Sequence, residues 1–210
     1  MKKIILTIGL VASLLMAGCS DDPEEPKNTN LVTFNLAPES RIAWKGKAAD
    51  GNFNEGTIQA TGNVDAVVSP GGELKRIHAG LVEMPVLTIE VTNLPAHLKP
   101  VLENHLKTSD FFYMAMHPKV SFRFLSAERL NNDVNGYNYQ VRGEMTLLGQ
   151  THALEFPARI ILNSNVLSLK AKPSFKQSLW GMNYHLDESY PADDRLLDGI
   201  DLSFDIKANR

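Results

Sequence analysis

Apolar and polar residues alternate along most of the second half of the chain. In the run YNYQVRGEMTL, Tyr139, Val141, Gly143, Met145 and Leu147 fall on one side, and Gln140, Arg142, Glu144 and Thr146 on the other. A period of two marks a strand with one buried and one wet face. The same alternation sets Val120, Phe122 and Phe124 against Ser121 and Arg123, and Leu154, Phe156, Ala158, Ile160 and Leu162 against Glu155 and Arg159. It returns in Leu167, Leu169 and Ala171, and in Leu202, Phe204 and Ile206. Three earlier stretches, Arg41–Ala48, Gly56–Val68 and Leu74–Val91, are extended with a less regular pattern. Turn chemistry separates them at Asp50-Gly51, Ser69-Pro70-Gly71-Gly72, Asn135-Gly136, Leu148-Gly149-Gln150 and Asn163-Ser164-Asn165. Strands of this kind, joined by short turns, predict an antiparallel sheet that closes on itself or packs as a sandwich. One segment breaks the rule. From Pro95 to Leu106 the spacing places Leu98, Val101, Leu102 and Leu106 on one helical stripe, with Thr92 or Asn93 available to cap its start. The fold class predicted is all-β with one short helix.

The first thirty residues follow different rules. Lys2 and Lys3 lead an uncharged run from Ile4 to Ala17, too short for a membrane-crossing helix of about 20 residues and followed by Ala17-Gly18. Residues 1–18 are therefore read as a signal peptide. The only cysteine of the chain follows at once. Leu15-Met16-Ala17-Gly18-Cys19 resembles the lipobox of bacterial lipoproteins, which implies acyl chains on Cys19 and cleavage before it; the alternative is an ordinary leader with a chance cysteine. A lone cysteine has no partner for an intramolecular disulfide, and two or three acyl chains on one residue give lasting membrane attachment. Behind it, SDDPEEPKNTN carries four carboxylates, two prolines and no large apolar residue. Residues 19–30 thus read as a lipidated cysteine and a flexible tether, leaving residues 31–210 as one domain. The acidic tether is a solvated spacer, and it is also similar to signals that send lipoproteins to the outer leaflet of the outer membrane. The expected location is the bacterial envelope, on the periplasmic or cell-surface face of the outer membrane. The whole chain has a formal charge of −3; losing Lys2 and Lys3 leaves 19 basic against 24 acidic side chains, or −5. No basic surface remains to attract nucleic acid.

The segment Asn104-His105-Leu106-Lys107-Thr108-Ser109-Asp110-Phe111-Phe112, continued by Pro118 and Val120-Ser121-Phe122-Arg123-Phe124, resembles the signature HLxSxDFFxxxxxPxxxF of the YceI-like family. Val141-Arg142-Gly143-Glu144-Met145-Thr146-Leu147-Leu148-Gly149-Gln150-Thr151 resembles that family's VxGxLTLxGxT hairpin. Weaker echoes are Ile42–Lys47, Gly71-Gly72 and Trp180-Gly181-Met182. The chain departs from relatives at Lys176-Gln177-Ser178-Leu179 and at Gly51-Asn52-Phe53-Asn54-Glu55-Gly56, so the resemblance carries fold there but not headgroup contacts. It implies an antiparallel lipocalin-like β-barrel of about eight strands that holds a polyisoprenoid chain. Within the matched motifs, His105, Leu106, Asp110, Phe111, Gly143 and Gly149 are expected to hold the helix end and the turns.

An eight-stranded barrel is either filled by its own side chains or holds one slender ligand. Trp44, Phe112, Phe122, Phe124, Met145, Leu147, Phe156, Ile160 and Trp180, with Phe204, are the candidate apolar lining. Taken singly, each reads first as plain core; together they are more than a solid small barrel needs, which favours a tunnel. His78, His97, His105, His117, His152 and His185 show no metal-ligand spacing, and no cofactor is expected. His105 with Asp110 is read as a structural tie, with an acid/base pair as the alternative. Asp187, Glu188, Asp193, Asp194 and Asp198 lack the ordered spacing of a calcium loop and are read as a solvated loop at the barrel mouth. Three functions stay open: binding of an isoprenoid lipid of polyprenyl or quinone type for sequestration or transport, a non-catalytic envelope interaction module with a self-filled barrel, and a hydrolase or isomerase of lipid-like substrates. No catalytic residues are assigned. Oligomeric state is open, a homodimer included.

Overall fold

A computed structural model of the protein describes residues 30–131 and 135–210. Twelve strands and one α-helix follow one another in the chain. They are β1 (Asn30–Leu36), β2 (Arg41–Ala48), β3 (Phe53–Gln59), β4 (Thr61–Val68), β5 (Leu74–Pro85), β6 (Glu90–Val91), α1 (Lys99–Leu106), β7 (Lys119–Arg129), β8 (Tyr139–Leu147), β9 (Gln150–Asn163), β10 (Val166–Ala171), β11 (Ser174–Lys176) and β12 (Leu196–Asn209). Short 3-10 turns lie at Val86–Thr88 and Gln177–Trp180. The leader, Cys19 and the tether lie outside the described residues, except Asn30, which already belongs to β1.

The ring β1-β4-β5-β7-β8-β9-β10-β12 closes on itself where Asn35 and Leu36 of β1 pair with Asn209 and Ala208 of β12. The fold is a closed eight-stranded antiparallel barrel with one helix. Two of its staves are bent. β1 continues into β2 through Ala37–Ser40, where the Ala37 N–H donates to Lys207 O at 2.8 Å and Ser40 N–H to Ala37 O at 2.9 Å. β3 continues into β4 across Ala60, whose N–H donates to Ser40 O at 2.9 Å. Above the bends β12 pairs with β2, and β2 with β3. There β3 pairs with short β6 instead of β5, so the segment from Val86 to Pro118, with α1, completes the wall.

Alternation did what the pattern predicted. Along β8 every odd residue from Tyr139 to Leu147 is buried, while Arg142 and Glu144 face out. Arg142 reaches Glu128 at 3.0 Å and Glu155 at 3.4 Å, exposed pairs of the kind that contribute about 0–1 kcal/mol. The β8–β9 turn is two residues long, with Leu148 at φ 51° and Gly149 at φ 73°, the twist-matched hairpin geometry that glycine makes accessible. The turns at Asp50-Gly51, Ser69–Gly72 and Ser164-Asn165 also join strands where expected.

The helix corrects the sequence reading in two ways. It begins at Lys99 rather than Pro95, and Leu98 and Val101 are exposed while Leu102 and Leu106 turn inward. Neither Thr92 nor Asn93 caps it. Asn93 Oδ1 accepts from the Glu55 N–H at 3.0 Å, its Nδ2 donates to Phe53 O at 2.9 Å, and Thr92 Oγ1 donates to Glu55 O at 3.1 Å. The upper edge of β3 has backbone groups to satisfy, and these side chains meet that demand. No helix among the described residues is long and apolar enough to cross a membrane.

Candidate functional site

The barrel interior divides in two. Its lower end is packed solid around Phe34, Ala66, Tyr139, Val141 and Ala158, all almost wholly buried. The Tyr139 hydroxyl finds Leu74 O at 3.4 Å. A residual void of about 20 Å³ there, lined by Ile160, Val64, Leu167 and others, is little larger than one water. The upper part holds an open-ended cavity of about 620 Å³, within the roughly 300–1,000 Å³ of small-molecule sites.

Seven of the ten proposed lining residues meet in that cavity: Trp44, Phe112, Phe122, Phe124, Met145, Leu147 and, on β12, Phe204. They arrive from β2, from the turn after α1, and from β7 and β8, with Phe122 directly opposite Met145 in register. Phe204 and Ile206 of β12 close the circle. Two glycines make room. A Cβ on Gly143 would lie 2.2 Å from Phe122 Cζ, and one on Gly56 would lie 1.8 Å from Glu90 O and 2.7 Å from Trp44 Cζ2. Trp44 lends its ring to the wall, while its buried Nε1–H has no hydrogen-bond partner among the described residues.

Phe156, Ile160 and Trp180 are corrections. Phe156 stands outside the cavity lining, packed between Phe122 and Phe204 at ring separations of 5.7 and 5.4 Å. Ile160 belongs to the packed lower end. Both have inward parity, and parity alone does not say how far along a stave the hollow extends. Trp180 lies on no strand; its Nε1–H donates to Met145 O at 3.0 Å and its ring meets His152 and Phe175 edge-on. It is structural core.

The mouth is formed by the β2–β3 hairpin, the C-terminal end of α1 and the loop before β12. His105 Nε2 and Asp110 Oδ2 are 2.9 Å apart, which ties the helix end to the turn as the motif implies, and Leu106 and Phe111 are buried beneath them. Sequence reasoning read His105 as a structural tie, with an acid/base pair as the alternative, and not as cavity wall; it also lines the cavity, edge-on to Phe111 and Tyr184 with centroids 5.1 Å apart in both cases. Tyr184 went unnoticed because its loop has no periodicity. It stacks on His185, which stacks in turn on Tyr190, at 3.8 and 4.1 Å. His185 holds a left-handed backbone, φ 50°, with Nδ1 2.9 Å from Asp194 Oδ1.

The acidic run does lie at this end, but its members act singly. Asp193 and Asp194 line the opening. Asp198 accepts from Ser178 N–H at 2.9 Å and Ser178 Oγ at 2.8 Å. Asp187 accepts from the Ser189 N–H at 2.8 Å, and hydrogen bonds from the Ser189 side chain and backbone hold its carboxyl below the ordinary value. Among the described residues no three metal-binding side chains converge. Both stretches read as departures from the family's motifs contribute to the cavity lining, through Asn52–Asn54 and the buried Gln177.

Comparison with known proteins adds three findings. A family model described as the YceI-like domain matches residues 34–208. Among solved structures, the chain is similar to BcnA of Burkholderia cenocepacia, at TM-score 0.61 and 15% identity over 81% of this chain and 97% of that one. It is equally similar, at TM-score 0.61, to a polyisoprenoid binding domain from Saccharophagus degradans implicated in plant cell wall breakdown, with 8% identity over 86% of this chain and 99% of that one. No curated protein matches the sequence.

Proposed function

The chain belongs to the YceI-like family, and from that premise we propose that it is a binding protein of the bacterial envelope that holds a long-chain isoprenoid lipid, of polyprenyl or quinone type, for sequestration or transport. The observation that carries this reading is the cavity of about 620 Å³, walled by aromatic and aliphatic side chains and open at one end. Burying apolar surface contributes roughly 25 cal/mol per Å², so a chain lying against Phe122, Phe124, Met145 and Phe204 is held without a charged partner. The match of family and the similarity to a polyisoprenoid binding domain support a lipid ligand. His105 and Asp110 pair at 2.9 Å at the end of α1, which this reading takes as a tie between α1 and the following turn.

In this reading Cys19 carries the acyl anchor, and the tether joins the barrel at its packed end. Asn30 pairs with Val68 beside the Ser69–Gly72 turn, the end opposite the mouth. The cavity then opens away from the point of attachment. Cys19→Ala is expected to yield unprocessed, unacylated precursor; a variant that is cut and sediments with membranes like its parent refutes the anchor.

The function itself is tested by extracting purified full-length protein with organic solvent and analysing the extract by mass spectrometry. A prenyl lipid in about stoichiometric amount is expected. Protein that yields none and takes up no added prenyl quinone leaves the interaction-module reading in its place.

A further inference from the structure

The two ends of the barrel present different surfaces. At the packed end the turns at residues 69–73 and 163–165 carry no large apolar side chain. At the open end large apolar side chains project into solvent from each element that forms the mouth. Phe53 of the β2–β3 hairpin and Leu197 at the start of β12 are 44% and 43% exposed, yet both also line the cavity. Leu98, at the start of α1, Val101 within it, and Tyr190 of the loop before β12 are exposed as well, Val101 by 64%. Two contacts place the helix on the rim. Asn93, ahead of α1, holds the backbone of Phe53 and Glu55, and His105 at its far end meets Tyr184 edge-on at 5.1 Å. The segment from 93 to 105 is thus fixed to the mouth at both ends, with Leu102 turned to the cavity and Leu98 and Val101 to solvent.

A folded partner and a bilayer would use such a ring differently. The apolar side chains stand apart, with Asn52, Asn54, His97, Lys99 and Asn104 among them in the sequence, and they surround a hollow of about 620 Å³. A protein seated on the ring would close over that hollow and forfeit the packing that an interface core requires. A bilayer is fluid. Separate apolar prongs can enter it one by one while their polar neighbours stay at headgroup level, and its hydrocarbon then becomes continuous with the cavity wall through Phe53 and Leu197. Charge narrows the choice of lipid. The segments that carry the ring hold Asp187, Glu188, Asp193 and Asp194 against Lys99 and Arg195, an excess of carboxylates that an anionic surface repels. Both ends of the described fold lie away from the ring, since Asn30 pairs with Val68 and the Arg210 N–H donates to Asn165 O at 3.2 Å, all at the packed end.

Building on the reading that the cavity takes a lipid, we propose that this apolar ring docks the mouth on the surface of a bilayer of neutral, zwitterionic lipid, where the ligand enters and leaves the barrel without crossing water.

The test puts a reporter on the ring. Val101→Cys in the full-length chain is labelled with a nitrobenzoxadiazole thiol reagent, and the parent is treated in parallel to account for Cys19. Each is mixed with vesicles of phosphatidylcholine brominated on its acyl chains. At Val101 a blue shift and loss of emission to bromine are expected; the same label at Leu125→Cys, exposed on the side of the barrel on β7, should change little. Leu98→Asp in the Val101→Cys chain should weaken vesicle binding about tenfold, the loss of one large apolar side chain from the interface. Aspartate suits the N-cap position that Leu98 occupies, so the fold is not at risk. Equal quenching at both positions, none at Val101, or an affinity unmoved by Leu98→Asp overturns the inference. Tighter binding to vesicles that include phosphatidylglycerol overturns the assignment of a neutral surface. A blue shift at Val101 that needs no vesicles and grows with protein concentration also overturns it and makes a second copy of the chain the occupant. These readings need no ligand in the cavity, so protein that docks but yields no prenyl lipid on extraction loses the ligand reading and keeps the docking surface.

Discussion

Replacing Met145 by lysine separates the cavity from the fold, because the two states of the protein feel the change differently. Met145 is 4% exposed and lines the hollow opposite Phe122. In the empty barrel the new ammonium reaches water in the open cavity, so the fold loses chiefly the burial of the methionine, roughly 1.5–3 kcal/mol. A hydrocarbon tail expels that water. The charge then faces apolar surface without a partner, at a cost of several kcal/mol. Taking about 3 kcal/mol as the difference, and about 1.4 kcal/mol per decade of affinity, the Kd for a prenyl quinone should rise about a hundredfold. The comparison variant is Arg142→Ala on the outer face, whose side chain is 46% exposed and whose partners are the exposed Glu128 and Glu155; it is expected to keep its lipid. Co-purifying lipid is measured by solvent extraction, affinity by quenching of Trp44, and integrity by thermal melts of both variants. Should Met145→Lys remain folded and bind within about threefold of the parent, the tail does not occupy this cavity. Met145→Gln, neutral and easier to accommodate, is expected to show a smaller loss in the same direction.

Gly143→Ala places a methyl 2.2 Å from Phe122 Cζ and 2.5 Å from Arg123 O; with backbone as one neighbour, the clash should cost about 2–3 kcal/mol and lower the Tm by roughly 4–12 °C, and an unchanged melt would show that β7 and β8 pack differently. The Tyr184 phenol, raised by burial and by Asp110 and Asp194, supplies stability that is full below about pH 10 and is lost as pH climbs through the raised value. A difference titration of phenolate absorbance between the parent and Tyr184→Phe should therefore show a midpoint above 10, and one at or below 10 contradicts the burial and the neighbouring carboxylates assigned to this phenol.

Strand parity was legible in the sequence because a buried face enforces it: the inward set Tyr139, Val141, Met145 and Leu147 is buried residue by residue, and slipping by one position would turn Arg142 and Glu144 inward. The hairpin turns were legible for the same local reason, since Leu148-Gly149 needs a left-handed backbone that glycine supplies without strain. The motif from His105 to Phe112 likewise paired His105 with Asp110, and the two stand 2.9 Å apart. Tertiary structure decided what depends on distance along the barrel and on segments without a period. Phe122 and Ile160 share the same kind of strand position, yet Phe122 borders the hollow and Ile160 the packed end, because the void survives only where the Val86–Pro118 segment replaces direct pairing between β3 and β5. Asn93 was read as a helix cap and instead holds β3, since an unpaired edge outweighs a frayed helix start in hydrogen-bond demand. Asp193 and Asp194 were read as part of a loop at the mouth, but Tyr184, in the same aperiodic loop, joins them in the cavity lining only once the barrel has closed and brought the C-terminal end of α1 to face them.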